Sequence, residues 1–458
     1  MAGIGFQLKK IADRGTLTSL LKAYGYSAAL SSGPWVISMI VIFLIGFINI
    51  YFFNSGENTI KFQIIVTYAL MMASSLIFTG FLQLPFTRYV ADRVFEGRED
   101  RILPNFFGLL FVILFFGFFI AFPLSQWLLY DQSEFFITLA ISTFLVLSCV
   151  WISNILAVSL RFYKYVILAY FIAYLLILLL SLLLQPYGIE GLLFSFLAGN
   201  VLLLLLLMIA IVKHYPSPYF MQFDIFKKEN FYWTLAIAGL AYNLGVWADK
   251  IIFWYHPLTG TNVIGHLNSS MVYDMPIFLA YLSIIPGMAV FFYRLEVEFA
   301  EQYDLYYSAV RQGGVLDQID RYRNGMIDVV RTSIREILTI QGIFNIGILI
   351  ISEPLFEALK MPKLFLPLFY IDLIGTQIQL GFMSILAFLF YIDRRKEAMI
   401  LSILFFVGNV LLTFGSIKLG PYFFGYGFAV SLLIVFIGSL FYLRKVLKRL
   451  NYETFMLQ

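Results

Sequence analysis

The chain has 458 residues, of which 61% are hydrophobic and only 13% are charged, whereas an average soluble domain is about half apolar and about a quarter charged. This composition excludes an ordinary soluble enzyme or nucleic-acid-binding domain and predicts an integral membrane protein. The single cysteine, Cys149, lies in an apolar run, which excludes a disulfide framework. We expect no metal site, no cofactor and no nucleic-acid partner.

Apolar runs long enough to cross the hydrocarbon core of a bilayer, about 20 residues, recur along the whole chain. We count twelve: 27–53, 60–87, 102–124, 134–160, 163–184, 189–212, 231–255, 271–293, 333–352, 364–391, 398–416 and 422–443. The predicted fold is therefore all-α, a polytopic membrane protein with 12 transmembrane helices.

A polar stretch divides these spans six and six. It runs over 213–230 and contains Tyr215-Pro216-Ser217-Pro218. We therefore predict an N-terminal six-helix bundle over 1–212, a cytoplasmic linker over 213–230, and a C-terminal six-helix bundle over 231–458. Transporters are often built from two such halves with a substrate site at their interface, which predicts a central cavity.

The basic residues indicate how the spans are oriented. The two termini and every second loop carry 26 of the 31 lysines and arginines, whereas the alternate loops carry only Lys61, Lys360, Lys363 and Lys418. By the positive-inside rule, both termini lie in the cytoplasm, and the chain is a multi-pass protein of the cytoplasmic (inner) membrane.

The seventh span contains ionisable residues within an apolar stretch, Trp233 to Trp254. Asn243, Asp249 and Lys250 all lie inside it. Ionisable residues within the membrane are costly and usually face a bundle interior or a watery cavity. Because Asp249 and Lys250 are adjacent, they point about 100° apart on the helix, so we predict that they do not pair with each other.

Helix geometry suggests a different partner for the lysine. Asp274 lies at a matching depth near the start of the eighth span, so we predict that Lys250 or a neighbour lies close to Asp274. A polar and aromatic stripe with helical spacing comprises Asn243, Trp247, Lys250 and Trp254. The stripe either lines a cavity or gate, or it holds a snorkelling lysine near the outer interface.

Other polar and aromatic residues in the spans are further candidates for the substrate pathway. Asp372, followed by Gln377, either binds a proton or sodium ion or makes an interhelical hydrogen bond. Asn154 either contacts substrate or joins helices. Trp35 and Trp151 can stack on sugar rings if the substrate is a glycan.

Proline and glycine predict irregular spans. Ser31-Ser32-Gly33-Pro34-Trp35 predicts a kink or a break in the first span, and Pro286-Gly287 predicts a bend in the eighth.

The longest cytoplasmic segment, 294–335, predicts two amphipathic helices separated by Gly313-Gly314. These helices either lie on the membrane surface or form a docking platform for a cytoplasmic partner. For docking, the candidate residues are Arg321, Tyr322 and Arg323.

Four stretches resemble the PelG family, the inner-membrane transporter of the Pel exopolysaccharide system. They read MAGIGFQLKK, LLKAYGYSAALSSGPWVISM, LAYNLGVWADKIIFWY and MVYDMPIFLAYLSIIPGMAVFFYRLEVEF. The resemblance implies a fold akin to the multidrug/oligosaccharidyl-lipid/polysaccharide flippases, with two six-helix bundles around a central cavity. It also implies export of an N-acetylgalactosamine-containing polymer made by a cytoplasmic glycosyltransferase that uses UDP-sugar. The implied membrane partners are a cyclic-di-GMP receptor and a repeat-containing scaffold.

These observations favour a transporter rather than an enzyme, because the sequence has no phosphate-binding loop, no HExxH motif and no segment large enough for a glycosyltransferase domain. The leading hypothesis is a carrier or conduit for a biofilm exopolysaccharide. Two alternatives are an alternating-access antiporter for lipid-linked sugars or drugs, and a membrane scaffold that activates the glycosyltransferase without conducting anything. A further rival, an intramembrane sugar-modifying enzyme, is disfavoured because no cluster of catalytic residue types stands out.

Overall fold

The computed structural model describes residues 16–53, 56–66, 72–159 and 163–456. Long helices make up most of this part of the chain: α1 (Leu17–Phe52), α2 (Gly56–Ile64), α3 (Met72–Phe95), α4 (Ile102–Leu128), α5 (Glu134–Ser159), α6 (Tyr163–Leu183), α7 (Gly188–His214), α8 (Trp233–Trp254), α9 (Met271–Ser283), α10 (Ile285–Tyr293), α11 (Ala300–Arg311), α12 (Leu316–Ala358), α13 (Leu366–Tyr391), α14 (Arg395–Leu419) and α15 (Tyr426–Met456).

The helices confirm the all-α membrane fold. Within the described ranges, ten helices are long and apolar enough to cross a bilayer, and the bent pair α9–α10 raises the number to eleven. The predicted second span, 60–87, includes residues 67–71, which lie outside the described residues. The count of twelve therefore stays a prediction.

The chain forms two compact units whose boundaries differ from the predicted ones. Pro34–Met271 form one unit, named here the N-terminal unit. The described residues of 16–33 and 272–456 form the other, the C-terminal unit. Helix α8, which we expected to open the second half, packs against α3 and belongs to the N-terminal unit. Sequence spacing set the predicted boundary at 213–230, but helix packing sets the observed one.

The segment 213–230 is not a free linker, because it is fastened to α4 within the N-terminal unit. The backbone N–H of Gln222 donates to the carbonyl of Pro104 at 2.9 Å, and the N–H of Ile225 donates to Asn105 Oδ1 at 3.0 Å. The Arg101 guanidinium completes the attachment through hydrogen bonds to Gln222 and Asp224. We call residues 213–232 the strap.

Helix α1 runs without an assigned break through Pro34, so the predicted interruption does not end the helix there. The predicted bend in the eighth span is confirmed. Helices α9 and α10 meet at Ile284 with a 41° change of direction, next to Pro286 and Gly287.

The helices of segment 294–335 are continuous with the neighbouring spans. A π-helical stretch, Arg294–Phe299, joins α10 to α11, and α12 continues for 43 residues into the ninth span, a length of about 65 Å. Gly313, at φ +67°, forms the turn between α11 and α12, as expected. The prediction of two helices separated by Gly313-Gly314 is therefore confirmed, and the structure adds that each helix is continuous with a span. Their position on the membrane surface stays a prediction.

A short antiparallel hairpin, β1 (Thr261–Ile264) and β2 (Leu267–Ser269), follows α8 in the N-terminal unit. The N–H of His266 donates to the carbonyl of Leu128 at 2.8 Å, and its ring stacks between Trp127 and Tyr130. These contacts fasten the hairpin to the end of α4.

Candidate functional site

Helix α8 carries the charged residues of the N-terminal unit and packs very closely on α3. A Cβ added at Gly239 would lie 2.3 Å from the carbonyl oxygen of Gly80, so a side chain at this crossing would collide with α3. Asn243, one turn further along, donates from Nδ2 to the carbonyl of Gly239 at 3.0 Å. The small residues allow the two helices to approach, and they fix the position of the polar residues above them.

Asp249 and Lys250 form a buried ion pair, which corrects the prediction that they do not pair. The Lys250 ammonium donates to Asp249 Oδ2 at 3.1 Å and to Oδ1 at 3.2 Å. It also donates to the carbonyl of Val246 at 2.8 Å. The carboxylate is fully buried and the lysine is 2% exposed. The helical-wheel argument concerned Cβ directions, whereas the four-carbon lysine side chain bends back to reach its neighbour.

The stripe on α8 is half-buried at Asn243 and Trp247 and buried at Lys250 and Trp254. The rings of Trp247 and Trp254 lie 6.3 Å apart, and Asn243 is half-buried one turn below Trp247. The stripe therefore combines an amide, two indole rings and the ion pair within about three helical turns.

Helices α3 and α5 add neutral polar groups to the same unit. The indole N–H of Trp151 donates to Ser75 Oγ at 2.9 Å. Gln83 donates to Thr79 Oγ1 at 2.9 Å, one turn further along α3. Asn154 is half-buried, and its Oδ1 accepts no hydrogen bond from the described residues. This amide oxygen is thus a free acceptor within the N-terminal unit.

In the C-terminal unit, a buried glutamine lies at the bend of the eighth span. The side chain of Gln341, on α12, is fully buried. Its Oε1 accepts the backbone N–H of Gly287 at 3.1 Å, and its Nε2 donates to the carbonyl of Ser283 at 2.9 Å. The amide therefore contacts the helix on both sides of Ile284.

The hydrogen bonds continue from this glutamine to α13. Gln341 Nε2 also donates to Asn345 Oδ1 at 2.8 Å, and Asn345 Nδ2 donates to Gln377 Oε1 at 3.0 Å and to the carbonyl of Leu373 at 3.2 Å. Gln377 Nε2 then donates to the carbonyl of Leu338 at 2.9 Å. Three amides thus join the bent span, α12 and α13, and the network includes the predicted Gln377.

The two other carboxylates that were predicted as pathway residues are both buried. Asp372 is 0% exposed and Asp274 is 3% exposed, and both belong to the C-terminal unit. Lys250 belongs to the N-terminal unit, so its proximity to Asp274 stays a prediction. The side chain of Trp35 lies outside the described residues.

The predicted docking residues lie in the first turns of α12, before the predicted ninth span. Arg321 and Tyr322 line an open hollow of about 750 Å³. Arg323 lies beside it and pairs with Asp320 at 3.0 Å. The hollow is also lined by three carboxylates, which makes it more acidic than basic: Asp317, Asp320 and Asp328.

Within the part of the chain that the structure describes, no three residues of His, Cys, Asp or Glu form a group that could hold a metal ion.

Sequence reasoning missed Gln341 and Ser283, the two residues that contact each other at the bend. A signal was present, because Gln341 and Asn345 are four residues apart in one apolar span and therefore share a helix face. The bonding of the Ser283 carbonyl and the Gly287 N–H to Gln341 could not be foreseen, because it depends on which helix lies opposite.

Solved structures with a similar fold are transporters of the MOP superfamily. A MOP superfamily transporter from Pyrococcus furiosus, whose binding pocket is described as reversed in polarity, gives a TM-score of 0.64 at 14% identity over 93% of this chain and 96% of that one. An outward-facing multidrug resistance MATE transporter gives 0.63 at 14% identity over 93% and 96%. A MATE transporter in the bent conformation gives 0.64 at 12% identity over 98% and 99%. These likenesses confirm the predicted fold class.

A search of curated protein sequences gives no match. The sequence model of one family, described as "PelG: Putative exopolysaccharide Exporter (EPS-E)", matches residues 1–455. The match covers nearly the whole chain and agrees with the four stretches that carry the resemblance, so this chain belongs to the PelG family of exopolysaccharide exporters.

Proposed function

We propose that this chain moves an amino-sugar-rich exopolysaccharide of the Pel type, which contains N-acetylgalactosamine, across the cytoplasmic membrane. Both termini face the cytoplasm, where the chain works in complex with a glycosyltransferase that uses UDP-sugar. A cyclic-di-GMP receptor and a scaffold protein are the expected membrane partners. Family membership and the transporter fold support the export of a polysaccharide.

The observation that carries the proposal is that the polar groups described on α8 and beside the bent span are neutral or neutralised within the protein. Lys250 and Asp249 cancel each other's charge over about 3 Å, and the bent span contacts Gln341, the first of three uncharged amides that continue through Asn345 to Gln377. Hydroxyl and acetamido groups of a polysaccharide need neutral donors and acceptors. A pathway lined with unpaired charge would instead favour ions.

The ion pair suits a gating role better than direct binding. The Lys250 ammonium already donates to both Asp249 oxygens and to the carbonyl of Val246. A sugar hydroxyl would have to compete with these bonds to accept a hydrogen bond from Lys250. Trp247, Trp151 and the free Asn154 acceptor are the nearer candidates for sugar contacts.

The cytoplasmic hollow on α12 supports the proposed complex. Its net acidic lining and the half-buried ring of Tyr322 favour a basic and aromatic surface on the glycosyltransferase. Replacing Asp317 by arginine, or Tyr322 by alanine, should weaken this complex without altering the spans.

The test is to measure polymer outside and inside cells that carry Lys250→Met or Asp249→Asn, with equal amounts of protein in the membrane. We expect polymer outside the cell to fall at least tenfold while the synthase still binds. The matched docking variant, Tyr322→Ala with Asp317→Arg, should lose the synthase instead. If the span variants export normally and only the docking variant fails, the chain acts as a scaffold, and the conduit proposal is wrong.

A second candidate is an alternating-access antiporter for lipid-linked sugars or drugs. The fully buried carboxyl of Asp372 is the observation in its favour, because such a group in a span is a common site for a coupling ion. In that case Asp372→Asn should abolish the dependence of transport on the proton or sodium gradient. Export that never depended on either gradient would exclude this candidate.

A further inference from the structure

The side-chain amide of Gln341 takes the place of a backbone hydrogen bond that the bent eighth span lacks. In a regular α-helix the N–H of Gly287 would donate to the carbonyl of Ser283, four residues earlier. Here Gln341 Oε1 accepts the Gly287 N–H at 3.1 Å, and Gln341 Nε2 donates to the Ser283 carbonyl at 2.9 Å. One amide therefore satisfies both ends of the broken bond.

The surroundings fix this arrangement. Asn345 Oδ1 accepts the second proton of Gln341 Nε2 at 2.8 Å, which determines the orientation of the amide. A Cβ at Gly287 would lie 2.8 Å from Gln341 Oε1 and 2.4 Å from Leu380, so only glycine leaves room for the side chain. Pro286 lacks an N–H, which removes the adjacent helical bond as well.

We infer that Gln341 is a positioning residue for transport, which holds the eighth span in its bent form by bridging Ser283 and Gly287. This inference rests on the proposed export function for its role in transport, but the bridge itself does not. A buried backbone group without a partner is unfavourable. Without the amide, the Ser283 carbonyl and the Gly287 N–H are expected to bond to each other, which straightens the helix.

The test is a distance measurement between spin labels on the protein in a bilayer. Labels at Met275→Cys and Ile350→Cys, in a Cys149→Ser background, lie on α9 and on α12. Met275 is nine residues from Ile284, an arm of about 14 Å. Loss of the 41° bend would therefore move the first label by up to about 10 Å.

Gln341→Met, which has a similar volume but no amide, should produce this shift and reduce export at least tenfold. Asn200→Leu is the matched control, because it removes a buried amide that bonds only to the carbonyl of Phe196 within its own helix. It should leave the label distance unchanged. An unchanged label distance in Gln341→Met overturns the inference, whatever amount of polymer is exported. A shifted distance with a normal amount of exported polymer refutes the role in transport.

A second variant remains informative if Gln341→Met does not fold. A protonated carboxyl group can donate one hydrogen bond and accept another, so Gln341→Glu can bridge the same two groups only when it is protonated. We expect the wild-type distance at low pH and the shifted distance at high pH. If the label distance in this variant does not change with pH, the bridging role is contradicted, whether that distance corresponds to the bent or to the straight helix.

A different observation concerns the surface of α15. Four basic side chains lie exposed within two turns, immediately after the apolar run of the last span ends: Arg444, Lys445, Lys448 and Arg449. None of them pairs with an acidic group among the described residues. Arginines elsewhere in the cytoplasmic segments do pair, as Arg93 does with Glu96 and Arg101 with Asp224.

Packing and hydrogen bonds fix the opposite face of this helix end, so the four basic side chains stay on the exposed face. Leu443, Leu447 and Leu450 are buried. Tyr306 Oη donates to Asn451 Oδ1 at 3.1 Å, and Asn451 Nδ2 donates to Asp320 Oδ1 at 2.6 Å. Independently of the proposed function, we propose that the stripe binds the headgroups of anionic phospholipids, since basic clusters beside a span attract them.

The test is binding of phosphatidylglycerol, with phosphatidylcholine as the neutral probe, to the full-length protein by native mass spectrometry. Replacing the four basic residues by glutamine should lower the affinity for phosphatidylglycerol at least tenfold. The control removes the same charge from scattered positions: Lys213, Lys228, Arg311 and Lys396. An equal loss of affinity for phosphatidylglycerol in both variants would mean that only net charge matters. An unchanged affinity in the stripe variant would point to an acidic protein partner. Either result overturns the proposal.

Discussion

Removal of the Lys250 ammonium should destabilise the N-terminal unit strongly. The side chain is 2% exposed and makes hydrogen bonds of 3.1 and 3.2 Å to Asp249 and of 2.8 Å to Val246. Breaking a buried ion pair by removing one partner costs about 3–5 kcal/mol. Asp249 lies five residues before the end of α8, away from the centre of the span, so the lower part of this range applies. We expect Lys250→Met to lose about 3 kcal/mol.

The double variant distinguishes the pair from two independent residues. Asp249→Asn with Lys250→Met leaves no charge behind, so it should be more stable than Lys250→Met alone, with a coupling of at least about 2 kcal/mol. Lys418→Met is the control, because Lys418 is exposed in the last turn of α14, and surface changes usually stay within about 0.5 kcal/mol.

The free energy of unfolding can be measured by steric trapping in bicelles, with both tags in the N-terminal unit. Two results would refute the reasoning. One is a single variant within 1 kcal/mol of the wild-type protein, and the other is a double variant whose loss equals the sum of the two single losses.

Two further predictions concern the packing of α8 and the strap. Gly239→Ala places a Cβ 2.3 Å from the carbonyl oxygen of Gly80 and should cost about 1–3 kcal/mol, whereas Gly415→Ala, with nothing within 4 Å, should cost nothing in the same unfolding assay. The hydrogen bond from Lys227 holds the pKa of Asp224 below its usual value, although partial burial acts in the opposite direction. The attachment of the strap should therefore be complete above the usual carboxyl pKa and should weaken as the pH falls through the lowered value. Hydrogen exchange of residues 213–232 would measure this loss, and Asp224→Asn should remove its pH dependence.

The sequence alone allowed the course of single helices to be predicted. Helix α8 was expected at Trp233 to Trp254 and has those bounds, because apolar length and the polar residues after it define where a span ends. The bend at Pro286-Gly287 was also predictable, since proline removes a helical hydrogen bond locally. The position of both features has a local cause, whereas the residue that holds the bend, Gln341, lies more than fifty residues away in the sequence.

Features that depend on packing could not be predicted. The pairing of Asp249 with Lys250 depends on a lysine conformation that only a buried environment favours. The strap depends on the proximity of Pro104 and Asn105, which are more than a hundred residues away in the sequence. The boundary between the two compact units differs from the predicted one for the same reason, because the spacing of spans does not show which helices pack together.

The two units satisfy their buried polar groups in different ways, and this difference indicates where movement is expected. Lys250 and Asp249 neutralise each other within a single helix, so a shift of α8 as a rigid body leaves their contact intact. The amides of Gln341, Asn345 and Gln377 instead join three helices, so relative movement of any of these helices breaks hydrogen bonds. Because exchange of those bonds with polar groups of a substrate is nearly neutral in free energy, the network can open when a polar substrate is present and close when it leaves. Coupling between substrate and helix movement is therefore expected at the bent span, whereas α8 keeps its charge balanced throughout.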